Sequence, residues 1–264
     1  MIALLSPAKS LDFESVSPYE RRSDLIFVKE AEYLANKLKK FSAKKLKSMM
    51  SISNDLAELN AERFAQWSPP FTGENSKQAV YSFNGDVYRG LEAATLSDQE
   101  MDFAQDHLRI LSGLYGILRP LDSIQPYRLE MGTSWAITPK QKNLYNYWKS
   151  TVTERLKEDI AEVDAKFILN LASQEYSKAV DFKSIDLPLI SPDFKEERGD
   201  KFQMISFFAK KARGLMAKYA IENRIKNPEE LKAFDAEGYH FNESLSDLLI
   251  NKWVFTRKHE SNQN

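Results

Sequence analysis

Cysteine is absent from this 264-residue chain. That excludes disulfides, thiolate metal sites, cysteine nucleophiles and thiol peroxidase chemistry. Histidine is scarce: only His107, His240 and His259 occur, and they show no metal-ligand spacing. A zinc site is therefore not expected, and no metal or cofactor is assigned. No apolar run approaches the roughly 18–20 residues needed to span a bilayer, so no membrane partner is expected. The opening Met1–Leu5 run has no basic segment before it and stops after five residues, which makes a poor signal peptide. Internal repeats, low-complexity tracts and Pro/Gly/Ser-rich linkers are also missing. Together these absences predict a cytoplasmic protein.

What is present is ordinary for a globular chain, at 42% hydrophobic and 28% charged residues. The pattern predicts strands at Met1–Leu5, Ala79–Phe83, Lys166–Ala172, Leu187–Ile190, Phe202–Phe208 and Trp253–Arg257. Ser6 and Pro7 read as a helix cap and a first helical residue. Helices are predicted at Asp24–Lys40, Ala43–Met50, Asp55–Trp67, Val87–Ala94, Gln141–Ile160 and Ala209–Ile225. Another is predicted at Asp98–Leu111, where Ser97 and Glu100 form a capping box. Strands and helices interleave without strict alternation. The expectation is one α/β domain over residues 1–258, with a mixed sheet surrounded by helices, a helical insertion and a frayed tail at 259–264.

The formal net charge is -1, yet the charge is unevenly placed. From Ser206 to Lys226 six cations (Lys210, Lys211, Arg213, Lys218, Arg224, Lys226) face one acid, and Glu229–Asp247 carries six acids against one lysine. Lys210 and Arg213 share one helical face. Lys210 and Lys211, placed in the first turn by this reading, oppose the helix dipole unless an anion sits there. A solvated helix face, or pairing between the two charge blocks, is the plain alternative.

Other segments carry candidate chemistry. Ser6–Lys9 matches a Ser-x-x-Lys pattern, but the Lys-Thr-Gly and Ser-Asp-Asn partners of penicillin-recognising enzymes are absent. The better reading places Lys9 at the carboxyl edge of a sheet, where α/β proteins bind ligands. Ala43–Trp67 reads as two helices about the turn Ser51-Ile52-Ser53, with Lys44, Lys45 and Lys47 on the first. Helix-hairpin-helix modules grip DNA phosphates in this manner; an ordinary αα-hairpin is the alternative. Arg119 and Arg128 sit in a turn-rich segment and are suited to fork onto phosphate. Glu130 and Asp12 are candidate acid/base groups.

Six segments taken together resemble the bacterial YaaA family, also called UPF0246 or DUF328. They are Leu5–Asp12 (LSPAKSLD), Phe83–Leu91 (FNGDVYRGL), Leu111–Asp122 (LSGLYGILRPLD), Pro126–Gly132 (PYRLEMG), Asn170–Tyr176 (NLASQEY) and Ile205–Gly214 (ISFFAKKARG). The resemblance runs in order from Met1 to about Arg257, with Ser10 standing where threonine is expected. It implies a cytoplasmic peroxide-stress protein that limits oxidative damage to DNA and protein by keeping unincorporated iron low. It also implies an α/β fold unlike the common superfolds, with a basic cleft and a helix-hairpin-helix element that bind duplex or distorted DNA. By matching motif, Lys9, Arg128, Lys210, Lys211 and Arg213 line the cleft, and Ser51–Ser53 form the hairpin tip. The expected partner is DNA, held by its backbone, alongside a small phosphate-bearing ligand. The rival expectation is an enzyme acting on a nucleotide or damaged nucleobase, with Lys9, Arg119, Arg128 and Lys210 on the phosphate.

Overall fold

The first strand, β1 (Ile2–Leu5), is buried along its whole length because it runs through the middle of a sheet with both faces covered. In this computed structural model, which describes residues 1–199 and 201–258, the chain then forms β2 (Ser10–Leu11), α1 (Val28–Leu38), α2 (Ala43–Met50) and α3 (Asn54–Gln66). Next come β3 (Lys77–Gln78), α4 (Ala79–Ser82), β4 (Phe83–Asn84), α5 (Asp86–Leu91) and α6 (Asp98–His107). Strands β5 (Leu108–Ser112), β6 (Gly116–Leu118) and β7 (Ser123–Ile124) precede α7 (Leu144–Glu162), β8 (Ile168–Asn170), α8 (Gln174–Ser177) and β9 (Leu189–Ile190). The last part holds β10 (Asp193–Arg198), β11 (Lys201–Gln203), α9 (Ser206–Glu222), β12 (His240–Phe241) and β13 (Val254–Lys258).

The central sheet has the order β6-β5-β1-β8-β9, parallel except for the β5–β6 pair. A second sheet, β11-β10-β13-β12, mixes parallel and antiparallel pairs. One hydrophobic core joins both, from Met1 through Leu111 and Trp148 to Phe255. The fold is thus a single-domain α/β fold with mixed sheets. The tail expected at 259–264 lies outside the described residues.

Local chemistry explains the helix starts. Ser42, Ser53 and Ser97 adopt extended backbone and accept amides of Lys45, Leu56 and Glu100. Each such cap stabilises its helix by about 1 kcal/mol. The capping box is complete, since Glu100 accepts the Ser97 amide at 2.7 Å. Helix α1 buries Ala31, Leu34, Ala35 and Leu38, the spacing of one helical face.

Four expectations are corrected. The strand expected at Ala79–Phe83 is instead a helical turn, α4, over Ala79–Ser82, with Phe83 opening the short strand β4. The helix expected to reach Leu111 ends at His107, because Leu108 turns extended and its successors pair with β1. Ser6 and Pro7 begin no helix; the Ser6 hydroxyl instead accepts the Ser173 amide at 2.8 Å. The strand expected at Phe202–Phe208 covers only Lys201–Gln203, and α9 starts at Ser206. Phe202 and Phe207 are exposed, so their hydrophobicity gave a misleading signal of a buried strand.

Helices α5 and α9 meet through glycines. A Cβ on Gly214 would stand 1.8 Å from the Val87 carbonyl oxygen, and one on Gly90 would stand 2.1 Å from the Lys211 carbonyl oxygen. Only the missing side chains permit this backbone-to-backbone approach. It brings the start of α5 against the middle of α9, beside the carboxyl end of β1.

Candidate functional site

The chain leaves β1 toward β5 on one side of the sheet and leaves β8 toward β9 on the other. The carboxyl ends of the adjacent strands β1 and β8 therefore form a topological switch point, the crevice in which open α/β sheets bind ligands. A pocket of about 400 Å³ opens there. Its walls are the loop Ser6–Ser10 after β1, Ser173, Glu175 and Tyr176 after β8, Asn84–Arg89 at the start of α5, and Lys210 and Arg213 of α9.

Hydrogen bonds hold these walls together. The Ser173 amide donates to the Ser6 hydroxyl, and the Tyr88 hydroxyl donates to the Ser6 carbonyl at 3.0 Å. Glu175 accepts the Gly132 amide at 2.9 Å, which ties in the Pro126–Gly132 segment. Lys9 reaches Glu130 at 3.3 Å, while Arg128 lies 2.9 Å from the same carboxylate. Burial pushes the Tyr88 and Tyr176 phenols well above their ordinary pKa, so both remain protonated near neutral pH.

The lining carries four cations (Lys9, Arg89, Lys210, Arg213) against two carboxylates, Asp86 and Glu175. Their pairing is uneven. Lys9 touches Glu130, and Arg89 lies 3.6 Å from Asp86. Lys210 and Arg213 have no ion-pair partner among the described residues. Arg213 is half-buried, and burial lowers its guanidinium pKa despite the raising influence of the more distant Asp193. An unpaired, partly desolvated cation lining a concave surface is an anion-binding arrangement.

The sequence matches the family described as Peroxide stress protein YaaA over residues 1–245. The chain belongs to that family. A UPF0246 protein of Janthinobacterium sp. (strain Marseille) is 49% identical over 258 residues, covering 98% of this chain and 99% of its own. UPF0246 proteins of Colwellia psychrerythraea (strain 34H / ATCC BAA-681) and Hahella chejuensis (strain KCTC 2396) are 47% and 46% identical, each covering 98% of this chain and 99% and 100% of their own.

Of the residues that the YaaA resemblance placed in a cleft, the pocket gathers Lys9, Lys210 and Arg213. Arg128 stands behind Lys9 through Glu130. Lys211 is on another face of α9, ion-paired with Glu237. Both lysines lie beyond the first turn, since α9 begins at Ser206, so the dipole argument for an anion beside them does not hold. Arg119 forks onto the buried Asp122 and the Asp24 carbonyl, which fixes it in a turn. Asp12 is half-buried, 3.8 Å from Lys77, and the Ser15 amide holds its carboxyl below the usual range. Glu130 is held between Lys9 and Arg128.

Ser51 and Ser53 belong to a separate region. Ser51 ends α2 in a left-handed conformation, and Ser53 caps α3. Ser51 lines a shallow depression with Lys44 and Lys47, and Lys47 donates to Asn54 at 2.7 Å. Among the described residues no group of three His, Asp or Glu side chains is placed to hold a metal ion. No helix there is long and apolar enough to cross a membrane.

Sequence reasoning did not select Asn84, Asp86, Arg89, Ser173, Glu175 or Tyr176. Two signals were available. Asn84-Gly85-Asp86 is a turn followed by a helix, and Ser173 follows a buried strand at a sheet's carboxyl edge.

Proposed function

We propose that this peroxide stress protein works in the cytoplasm by binding DNA, duplex or distorted, through backbone contacts centred on the β1–β8 crevice. One observation carries the reading: Lys210 and Arg213, one helical turn apart on α9, line a concave surface without a counter-ion among the described residues. Phosphate oxygens are the matching acceptors. Lys44 and Lys47 beside Ser51 supply a second set of backbone contacts, in the manner of a helix-hairpin-helix element. Protection of DNA from oxidants follows from occupancy of the strand, and protection of protein belongs with the lowering of free iron. The lowering of free iron belongs to this reading as a consequence in the cell, and we assign it no ligand set.

The test is fluorescence anisotropy of a labelled duplex at low salt, for the native chain and for Lys210→Glu with Arg213→Glu. The native chain binds, with affinity falling steeply as salt rises; the double variant binds several-fold more weakly. Equal affinity of the two proteins would remove α9 from the interface.

A second reading, catalysis on a nucleotide or damaged nucleobase, is favoured by the pocket's size. About 400 Å³ is the scale of a small-molecule site, not of a duplex groove. Release of free base from oligonucleotides bearing oxidised bases is its assay.

A further inference from the structure

The pocket's lining is chemically divided. Lys210 and Arg213 on α9 offer donors and positive charge with no protein acceptor among the described residues. Pro7, Ala8 and Val87, with the rings of Tyr88 and Tyr176, offer apolar surface. Asn84 and Glu175 come from two further elements and offer acceptors. One Glu175 oxygen takes the Gly132 amide, while the other has no hydrogen-bond partner among the described residues.

A bare inorganic anion uses only the first of these surfaces. An apolar ligand leaves the two cations uncompensated in a partly desolvated place. A long acidic peptide would need cations spread along a groove, whereas here they converge on about 400 Å³. The matching ligand has one compact phosphate anion, a flat apolar body and N–H or O–H donors at its far side. A nucleoside monophosphate has all three: phosphate for Lys210 and Arg213, ring faces for the tyrosine and proline side, and base amino or ribose hydroxyl groups for Glu175 and Asn84.

We infer that this pocket seats a single nucleoside monophosphate unit, with its phosphate on Lys210 and Arg213 and its base or ribose donors on Glu175 and Asn84. The inference rests on the second reading only in taking this pocket as the site, and it concerns binding rather than catalysis. The unit is either free in solution or one nucleotide turned out of a DNA strand. The base, sugar and phosphate oxygens recognised are common to both, although the phosphate is a dianion in the free monophosphate and a singly charged diester in the strand.

Calorimetry of the full chain tests the free form, with nucleoside 5′-monophosphates compared against the parent nucleosides and inorganic phosphate. The monophosphate is expected to bind at least about tenfold more tightly than either fragment, because charge-assisted contacts and apolar burial are then made together. Arg213→Gln is expected to weaken it by at least about tenfold. Lys210→Ala, at an exposed position, provides a second variant whose folding is not in question. A duplex carrying 2-aminopurine tests the other source: its fluorescence rises when the base leaves the stack, and Arg213→Gln suppresses that rise. Heat with the free monophosphate places the unit in solution, and a 2-aminopurine rise places it in DNA; either one supports the inference. Neither signal, or equal binding of phosphate and monophosphate, overturns it. Anisotropy of the same duplex keeps the DNA reading separately measurable, and base release assays the catalytic one.

Discussion

Arg109 and Arg213 are both drawn away from solvent, and they differ in what surrounds them. Arg109 is 2% exposed; its Nε and Nη2 meet Asp159 at 2.8 and 2.9 Å, and its Nη1 donates to the Gln105 and Leu108 carbonyls. Arg213 has no such partner among the described residues. The first is a closed electrostatic unit that fastens α7 to β5. The second has guanidinium donors that no described residue takes. A desolvated charge marks a binding site only when the fold leaves it unpaired, and Arg109 shows that pairing was within the fold's means.

Removing a partner should separate the two most sharply. Asp159→Ala strands Arg109 and is expected to cost about 3–5 kcal/mol, read from urea unfolding. Next in size is Gly214→Ala, which forces a methyl into the Val87 carbonyl and is expected to cost about 3 kcal/mol. For a chain of this length that is a melting-temperature drop of roughly 6–12 °C. Helix propensity alone would make the same change stabilising by about 1 kcal/mol, so the sign of the shift decides whether α5 and α9 touch.

Arg213→Leu is the counterpart of Asp159→Ala. Its stability is expected to stay within about 0.5 kcal/mol of the native chain or rise, while duplex affinity falls several-fold. A loss as large as that of Asp159→Ala would break the comparison and make Arg213 structural. Smaller still is the contrast between neighbours: Lys210→Ala should lower the salt slope of DNA binding by about 1, whereas Lys211→Ala, already paired with Glu237, leaves it unchanged.

The smallest effect concerns acid. Burial alone would raise the Glu237 pKa, but the hydrogen bonds and charges of Lys211 and Arg257 outweigh it and hold the carboxyl below its ordinary value of 4.5. A carboxylate with a depressed folded pKa stabilises the fold above its unfolded pKa. That contribution is lost as pH falls through the folded value. Glu237→Gln should therefore cost stability near neutral pH and approach the native chain in acid, as followed by thermal melts across pH.

Much of the architecture was legible where one local rule governs. Ser97 and Glu100 announce a helix start because cap geometry involves only a few neighbouring residues. Met1–Leu5 reads as a central strand because uninterrupted apolar character needs both faces covered. The Ala43–Met50 boundaries also follow from the chain, with Ser42 preceding them as the N-cap. Legibility failed where a distant partner decides. Leu108–Ser112 continues a helical pattern, yet pairing with β1 pulls it into the sheet. Strand β10 escaped notice because Asp193–Arg198 is mostly charged, alternates half-buried and buried positions up to Glu197, and has Glu196 among the buried ones. Glu196 is accommodated by Arg257 and Tyr239, both far along the chain.

The site divides in the same way. Lys9, Lys210 and Arg213 could be named from their motifs, as could the family to which they point. The partners of Arg119 and Lys211 could not. Asp122 lies three residues from Arg119, but the buried turn that fixes the pair is tertiary, and Glu237 reaches Lys211 from beyond a long connection.

By itself the sequence settled that thiol chemistry is absent, where α2, α3 and α6 begin to within a residue, that the opening strand is apolar throughout, and that cations gather near residue 210. Only the tertiary structure decided which of those cations are spent on carboxylates and which converge on the β1–β8 crevice. The reason is physical. Net charge is a sum over residues, whereas an anion site is a difference between neighbours, and the neighbours of α9 are supplied by strands, turns and glycine contacts far from it in the chain.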